Sequence, residues 1–237
     1  NHNRKIDFSK MDYDDPKVFE LLSSGNTLGV FQLESAGMRV FMKQLKPDNF
    51  EDIVAGISLY RPGPMDSIPT YIENKTNPQN VTYLHEKLKP IMEVTYGCLV
   101  YQEQVMQVVR ELGGYTYGRS DLVRRAMGKK KMDVMEEERR YFVYGKEDEN
   151  GNIEIAGCIR NGVPEDIANK IFDDMIDFAK YAFNKSHAAA YGVLSYQTAY
   201  LKAYYPVEFM AALITSVMGN TDKVVEYIRE CNALGIE

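Results

Sequence analysis

Apolar positions recur every three to four residues along most of the chain, and this period predicts a mainly α fold. In DYDDPKVFELLSSGN, Val18, Leu21 and Leu22 share one apolar face. Asp15 stands where an N-cap belongs, Pro16 suits the first helical position, and Gly25 with Asn26 ends the helix. Residues 27–31, TLGVF, read as a short strand. QLESAGMRVFMKQL predicts a helix with Met38, Phe41, Met42 and Leu45 turned inward, and Ser35 as its cap. NFEDIVAGISLY predicts another, stopped by the two prolines of RPGP.

Residues 66–82 read as irregular apart from a short SIPTYIENK segment. From 83 to 112 the pattern is helical again, with a break at VTYGCLV and a stop at Gly113–Gly114. GRSDLVRRAMGKK follows, with Ser120 as candidate N-cap, and a charged helix runs through 132–143. ENGN at 149–152, between YFVYG and IEIAG, predicts a hairpin turn, because Asn-Gly accepts positive φ. VPEDIANKIFDDMIDFAKYAF puts Ile167, Ile171, Met175 and Phe178 on one face. SHAAAYGVLSYQTAYLKAYY suits a buried helix. Pro206 restarts a helix through VEFMAALITSVMGN, and TDKVVEYIRECNALG closes at Gly235. The expected fold is a multi-helix domain with one or two small β-hairpins, and sub-lobes of about 1–82 and 83–237.

The 237 residues are 45% hydrophobic and 26% charged, with a formal net charge of -6. These values fit a folded globular chain. No apolar run is long enough to cross a bilayer, and no membrane partner is expected. The three cysteines, Cys98, Cys158 and Cys231, make no CxxC pattern. They are expected to be reduced, mostly buried thiols in a cytoplasmic protein, with no zinc site. The chain begins with Asn1, which fits an excised fragment.

Against the acidic total stands LVRRAMGKKKM, residues 122–132. Arg119 to Lys131 carries six cations and one anion, a local balance of +5. Such density attracts phosphate or nucleic acid, and a solvated helix end is the alternative. No GxxxxGK[ST], GxGxxG or HExxH occurs, so no standard nucleotide loop or zinc motif is present. Asp12-Tyr13-Asp14 is a possible magnesium pair, but acids are also favoured just before a helix. In FNKSHAAAY, Asn184 or Ser186 could cap a helix with His187 in its first turn, and Lys185 with His187 would make that terminus an anion site. A Ser-His nucleophile is not expected, because adjacent helical residues do not face each other. Arg61 in SLYRPGPM is held by a rigid turn. In FQLESAGM, Gln32, Glu34 and Ser35 mark a junction that capping explains.

Taken together, GVFQLESAGMR, LYRPGPM, VYQEQVMQ, GGYTYGRSDLVRRAMGKKK and FNKSHAAAYGVLSYQTAYLKAYYPVEFMAAL resemble the bacterial family C replicative DNA polymerases. The similarity is to the fingers region of the DnaE-type polymerase III alpha subunits, over about residues 14–235. The PolC type carries different wording at the FQLES position. The resemblance implies a DNA-directed DNA polymerase whose palm, thumb and C-terminal modules are absent here. Mg2+ would be bound by palm carboxylates outside this chain, and Asp12 and Asp14 do not match them. No catalytic residue and no metal ligand is then expected in this chain, which would not polymerise alone. The resemblance implies that Arg124, Arg125, Lys185 and His187 face the incoming dNTP, with Arg61 near the same pocket. Lys129, Lys130, Lys131 and Arg119 would give electrostatic support to DNA or phosphate. Implied partners are primer–template DNA, dNTP, the palm and thumb, and replisome subunits through other regions. A helical DNA-binding or bracing module without nucleotide contact is the alternative. Residues 144–163 resemble a hairpin insertion of the kind in Gram-positive members.

Overall fold

The computed structural model describes residues 6–129, 132–179 and 181–236. Among these the α-helices are, in chain order, α1 (Pro16–Ser24), α2 (Ala36–Leu45), α3 (Phe50–Leu59), α4 (Ile68–Thr76), α5 (Lys89–Met92) and α6 (Gln102–Gly113). They continue with α7 (Tyr117–Gly128), α8 (Met132–Tyr144), α9 (Glu165–Ala179), α10 (Lys185–Tyr204), α11 (Pro206–Ser216) and α12 (Thr221–Ala233). One antiparallel hairpin pairs β1 (Lys146–Glu147) with β2 (Ile153–Ile155). The fold is therefore mainly α, as the periodicity predicts.

The chain forms two compact units. Residues 1–60 and 186–237 make one, and residues 61–185 make the other. The division expected near residue 82 is thus not the one the contacts draw: the chain leaves the first unit after Tyr60 and re-enters it at Ser186, inside α10.

In the first unit, local chemistry sets the helix ends as expected. The Asp15 carboxylate accepts from Lys17 N–H, the Ser35 hydroxyl from Met38 N–H, and the Asn49 amide oxygen from Asp52 N–H. Gly25 ends α1 with φ 69°. Met38, Phe41, Met42 and Leu45 are buried in α2, and Val18 and Leu22 in α1. A Cβ on Gly56 would press on Met42 and Leu45, so glycine lets α3 lie close to α2. The TLGVF strand does not form. Gly29 and Gln32 both have positive φ, at 81° and 62°, and the backbone makes successive turns. Leu28 and Val30 are buried there without a strand partner. The Thr27 hydroxyl closes the loop by donating to the Leu33 carbonyl. This loop is held to α10, where Phe31 N–H donates to the Thr198 hydroxyl and the Ser195 hydroxyl to the Phe31 carbonyl.

Helix α10 is buried along one stripe only, formed by Ala188, Gly192, Ser195, Tyr196, Ala199 and Lys202. Leu194 and Tyr204 lie outside it and are exposed. Lys202 is buried because its ammonium is fully engaged: it donates to the carbonyls of Asn26 and Leu28 and to Glu230 of α12.

In the second unit, α6, α7, α8 and α9 enclose a core of Val105, Val109, Leu112, Phe142, Ile171, Phe172 and Met175. SIPTYIENK, expected as a fragment of order, is the full helix α4. The expected turn is present: Gly151 has φ 79°, and the Asp148 carboxylate accepts from the N–H groups of Asn150 and Asn152. The flank YFVY belongs to α8, however, and the first strand begins after Gly145. Tyr141 to Val143 bury their apolar side chains better in helical register against α9 than in an isolated two-stranded ribbon.

Candidate functional site

The site is built on the second unit, where α7 leaves a sharp turn. Gly114 caps α6 in the left-handed region, at φ 75°, and Thr116 caps α7 by accepting from Arg119 N–H. Ser120 is not the cap. It is buried inside the first turn and donates to the Tyr117 carbonyl. Val123, Ala126 and Met127 anchor α7 to the core. That register leaves Arg124 and Arg125 flanking the buried stripe.

The two arginines are held differently. Nε and Nη2 of Arg124 donate to Asp121 Oδ1 at 2.9 and 2.7 Å, and Nη1 donates to Gln102 Oε1 at 2.9 Å. Arg125 reaches the other oxygen of Asp121 through Nη2 at 2.8 Å, and its side chain is 62% exposed against 29% for Arg124. The shared carboxyl is held below its usual range, first by the Arg124 hydrogen bond and then by the charges of both arginines.

Gln102 and Glu103 open α6, and segment 181–185 runs alongside. Tyr101 and Phe183 form an isolated parallel bridge. Gln102 N–H donates to the Phe183 carbonyl at 2.9 Å, and Gln102 Nε2 to the Ala182 carbonyl at 3.2 Å. The Glu103 carboxylate accepts from the Asn184 side-chain amide and from Lys185 N–H, each at 3.0 Å. The Lys185 ammonium lies 5.2 Å from the centre of the Tyr101 ring. Arg61 joins the same segment: Nη2 donates to the Tyr181 carbonyl at 2.9 Å, and the guanidinium sits 4.0 Å over the Phe183 ring. Burial lowers the pKa of Arg61 from its ordinary value. Gly63 turns at φ 101°, and a Cβ there would overlap the Tyr181 ring. The RPGP turn is therefore fitted to segment 181–185 by shape as well as by hydrogen bonding.

Arg61, Arg124 and Lys185 thus share one seam, through side-chain or backbone contacts to residues 101–103 and 181–185. Lys129 is exposed just after α7, with its N–H on the Arg125 carbonyl. Lys130 and Lys131 lie outside the described residues. Arg119 is engaged elsewhere. It pairs with Glu138 at 2.8 Å and Glu154 at 3.3 Å, bracing α7 against α8 and the hairpin. His187 belongs to the first unit. It lies in the first turn of α10, is exposed, and its ring centre is 4.2 Å from that of Tyr191.

Asp12 and Asp14 line a cavity of about 570 Å3 in the first unit, with Asp7, Lys10, Asp15 and Tyr200 among its walls. No group of three or more His, Cys, Asp or Glu among the described residues is arranged to hold a metal ion. No helix among them is long and apolar enough to cross a membrane.

Sequence reasoning missed Asp121, Gln102 and Glu103. The signal available was the polar Gln-Glu pair opening an apolar helix in VYQEQVMQ, and the acid three and four residues ahead of the arginines.

This helical unit gathers cations from three separated motifs onto one seam. The model of the bacterial DNA polymerase III alpha subunit finger domain matches residues 1–150, and the chain belongs to that family. It is 52% identical over 237 residues to the DNA polymerase III subunit alpha of Thermus aquaticus, covering 98% of this chain and 18% of that protein. The identity to the subunit of Bacillus subtilis strain 168 is 48% over 234 residues, covering 99% of this chain and 20% of that protein. That to the subunit of Rickettsia felis is 48% over 233 residues, covering 98% of this chain and 18% of that protein. The chain therefore spans about a fifth of the length of the curated relatives it matches.

Proposed function

We propose that this chain is the fingers of a bacterial replicative DNA polymerase and that it grips the triphosphate of the incoming dNTP while helping to position the template. The observation that carries this reading is the asymmetry of the arginine pair. Arg124 has three N–H contacts that fix it. Arg125 keeps an exposed guanidinium with one in-helix partner. A preset guanidinium beside an available one suits a ligand with several anionic oxygens, because the fork matches phosphate bidentately.

The reaction gives each group a role. The primer 3′-hydroxyl gives its proton to solvent as its oxygen forms a bond to the α-phosphorus, the bond from that phosphorus to the bridging oxygen breaks, and pyrophosphate leaves. Mg2+, when bound by carboxylates elsewhere in the full-length enzyme, neutralises phosphate charge. Arg125, with Arg124 behind it, holds the oxygens that gain charge. Lys185 and Arg61 supply fixed positive charge from the seam. His187 is read as the general acid for the leaving group. Lys129, Lys130 and Lys131 raise the local positive potential for phosphate and DNA, and Arg119 supports them by holding α7 in place. A bracing or template-binding role without nucleotide contact is the competing reading.

Single-nucleotide incorporation by a full-length polymerase III alpha subunit carrying this sequence separates them. Losing a charge-assisted contact is worth about 1.5–3 kcal/mol. Arg125→Ala is therefore expected to raise the dNTP KM roughly ten- to a hundred-fold, with primer–template affinity unchanged. Weaker DNA binding with a shallower salt dependence and a normal dNTP KM would instead place α7 on the template.

A further inference from the structure

The polar pair that opens α6 has no part in the chemistry above, yet it contacts both the arginine helix α7 and segment 182–185. Gln102 uses three groups at once. Its Oε1 receives Arg124, its Nε2 donates to Ala182, and its backbone N–H donates to Phe183. Glu103 holds the next two residues, with one carboxylate oxygen on the Asn184 amide and the other on Lys185 N–H. Four consecutive residues, 182–185, are thereby tied to two consecutive residues of α6, and Gln102 ties that segment to the arginine helix as well. The side chains of Gln102 and Glu103 are only half-buried, and core packing does not call for either polar group.

We propose that Gln102 and Glu103 are positioning residues for the nucleotide grip. They set the distance and register between Arg124 on α7 and Lys185 at the start of α10. The chemistry favours this assignment over simple bracing. A glutamine amide can accept from a guanidinium while donating to a carbonyl, so it can join a cation to a carbonyl-lined strand without cancelling the charge. A carboxylate facing Arg124 from this side would add a second anion to the one already supplied by Asp121 and weaken the attraction for phosphate. The neutral residue therefore stands where the arginine is fixed. The charged one stands where only N–H donors are held.

The inference rests on the reading of Arg124 and Lys185 as part of the grip. The test is a double-mutant cycle in the full-length subunit, with dNTP KM, kcat, primer–template affinity and thermal midpoint measured for each variant. Gln102→Met keeps the length and removes both polar groups. It is expected to raise the dNTP KM about tenfold, the loss of one hydrogen bond to a charged group, with kcat and DNA affinity little changed. In Arg124→Ala it should add almost nothing, because the two residues act through one contact. Glu103→Gln keeps one acceptor where two donors need one each, and should give a smaller rise. Gln102→Glu keeps the acceptor for Arg124 and serves if Gln102→Met does not fold; its added anion should also raise the KM. If Arg124→Ala raises the KM but the Gln102 variants do not, positioning by Gln102 is wrong and the grip stands. If the Gln102 and Arg124 effects add, or fall on thermal midpoint and DNA affinity alike, the pair only braces the fold. If Arg124→Ala leaves the dNTP KM unchanged, the grip reading of Arg124 fails and this inference fails with it.

Discussion

Arg124 and Arg125 are adjacent and of one type, but one has three N–H groups committed to Asp121 and Gln102 while the other leaves most of its guanidinium in solvent. A helix turns about 100° per residue, so the two neighbours share the Asp121 carboxyl but differ in their exposure and other contacts. Lys185 and His187 fall in different units although only one residue lies between them. His187 is exposed, with its ring centre 4.2 Å from that of Tyr191 and the two planes tilted by 45°. General acids of this kind contribute about a hundred-fold or more. If His187 has the proposed role, His187→Gln in the full-length enzyme should lower kcat by roughly that factor. An unchanged kcat would take His187 out of the proton transfer. The cationic residue types in these motifs were legible in the sequence. The division of labour was not, because it depends on what stands opposite each side chain.

Among the elements, helix limits followed from local rules. Asp15, Ser35 and Asn49 cap α1, α2 and α3 through side-chain oxygens that relieve unpaired N–H groups, a contact worth about 1 kcal/mol each. Local rules failed where a distant element supplied the partner. TLGVF has strand-like composition, but among the described residues no strand lies beside it, and α10 satisfies its backbone instead. Ser120 has cap chemistry, but Thr116 lies nearer the Gly114 turn and takes the role. The attachment of α12 to α10 is the sharpest case, since the Lys202 ammonium is buried against two carbonyls and the Glu230 carboxylate, which supplies the opposite charge. Burial lowers the pKa of this lysine, and the Glu230 hydrogen bond works against that. Removing one partner of a buried pair costs about 3–5 kcal/mol. Glu230→Leu should lower stability by about that amount in a chemical-denaturation measurement. A cost under about 1 kcal/mol would show that water replaces the carboxylate.

For the whole molecule, the second unit carries protonated groups that burial protects. The Cys158 thiol is pushed up to about 12 from an ordinary 9.0 by burial, with the Lys87 charge opposing. The Tyr115 phenol is also raised, first by burial and then by the Glu138 carboxylate to which it donates. Both acids bind their proton more tightly folded than unfolded. Their contribution to stability is therefore complete below about pH 9 and is lost as pH rises toward 12. The denaturation midpoint should fall across that window, and Cys158→Ala should flatten part of the fall. A flat midpoint up to pH 12 would mean that folding does not raise these pKa values.

The sequence by itself determined the helical period, most helix ends, the hairpin turn and the cationic character of the α7 end, because each depends on residues within about four positions of one another. Only the tertiary structure decided that the chain leaves one unit at Tyr60 and returns to it at Ser186. It also decided that Gln102, Glu103 and residues 181–185 form the seam on which Arg61 and Arg124 are fixed. These contacts join residues from about twenty to more than a hundred positions apart, and their partners are chosen by the packing of helices whose apolar faces specify burial but not neighbours.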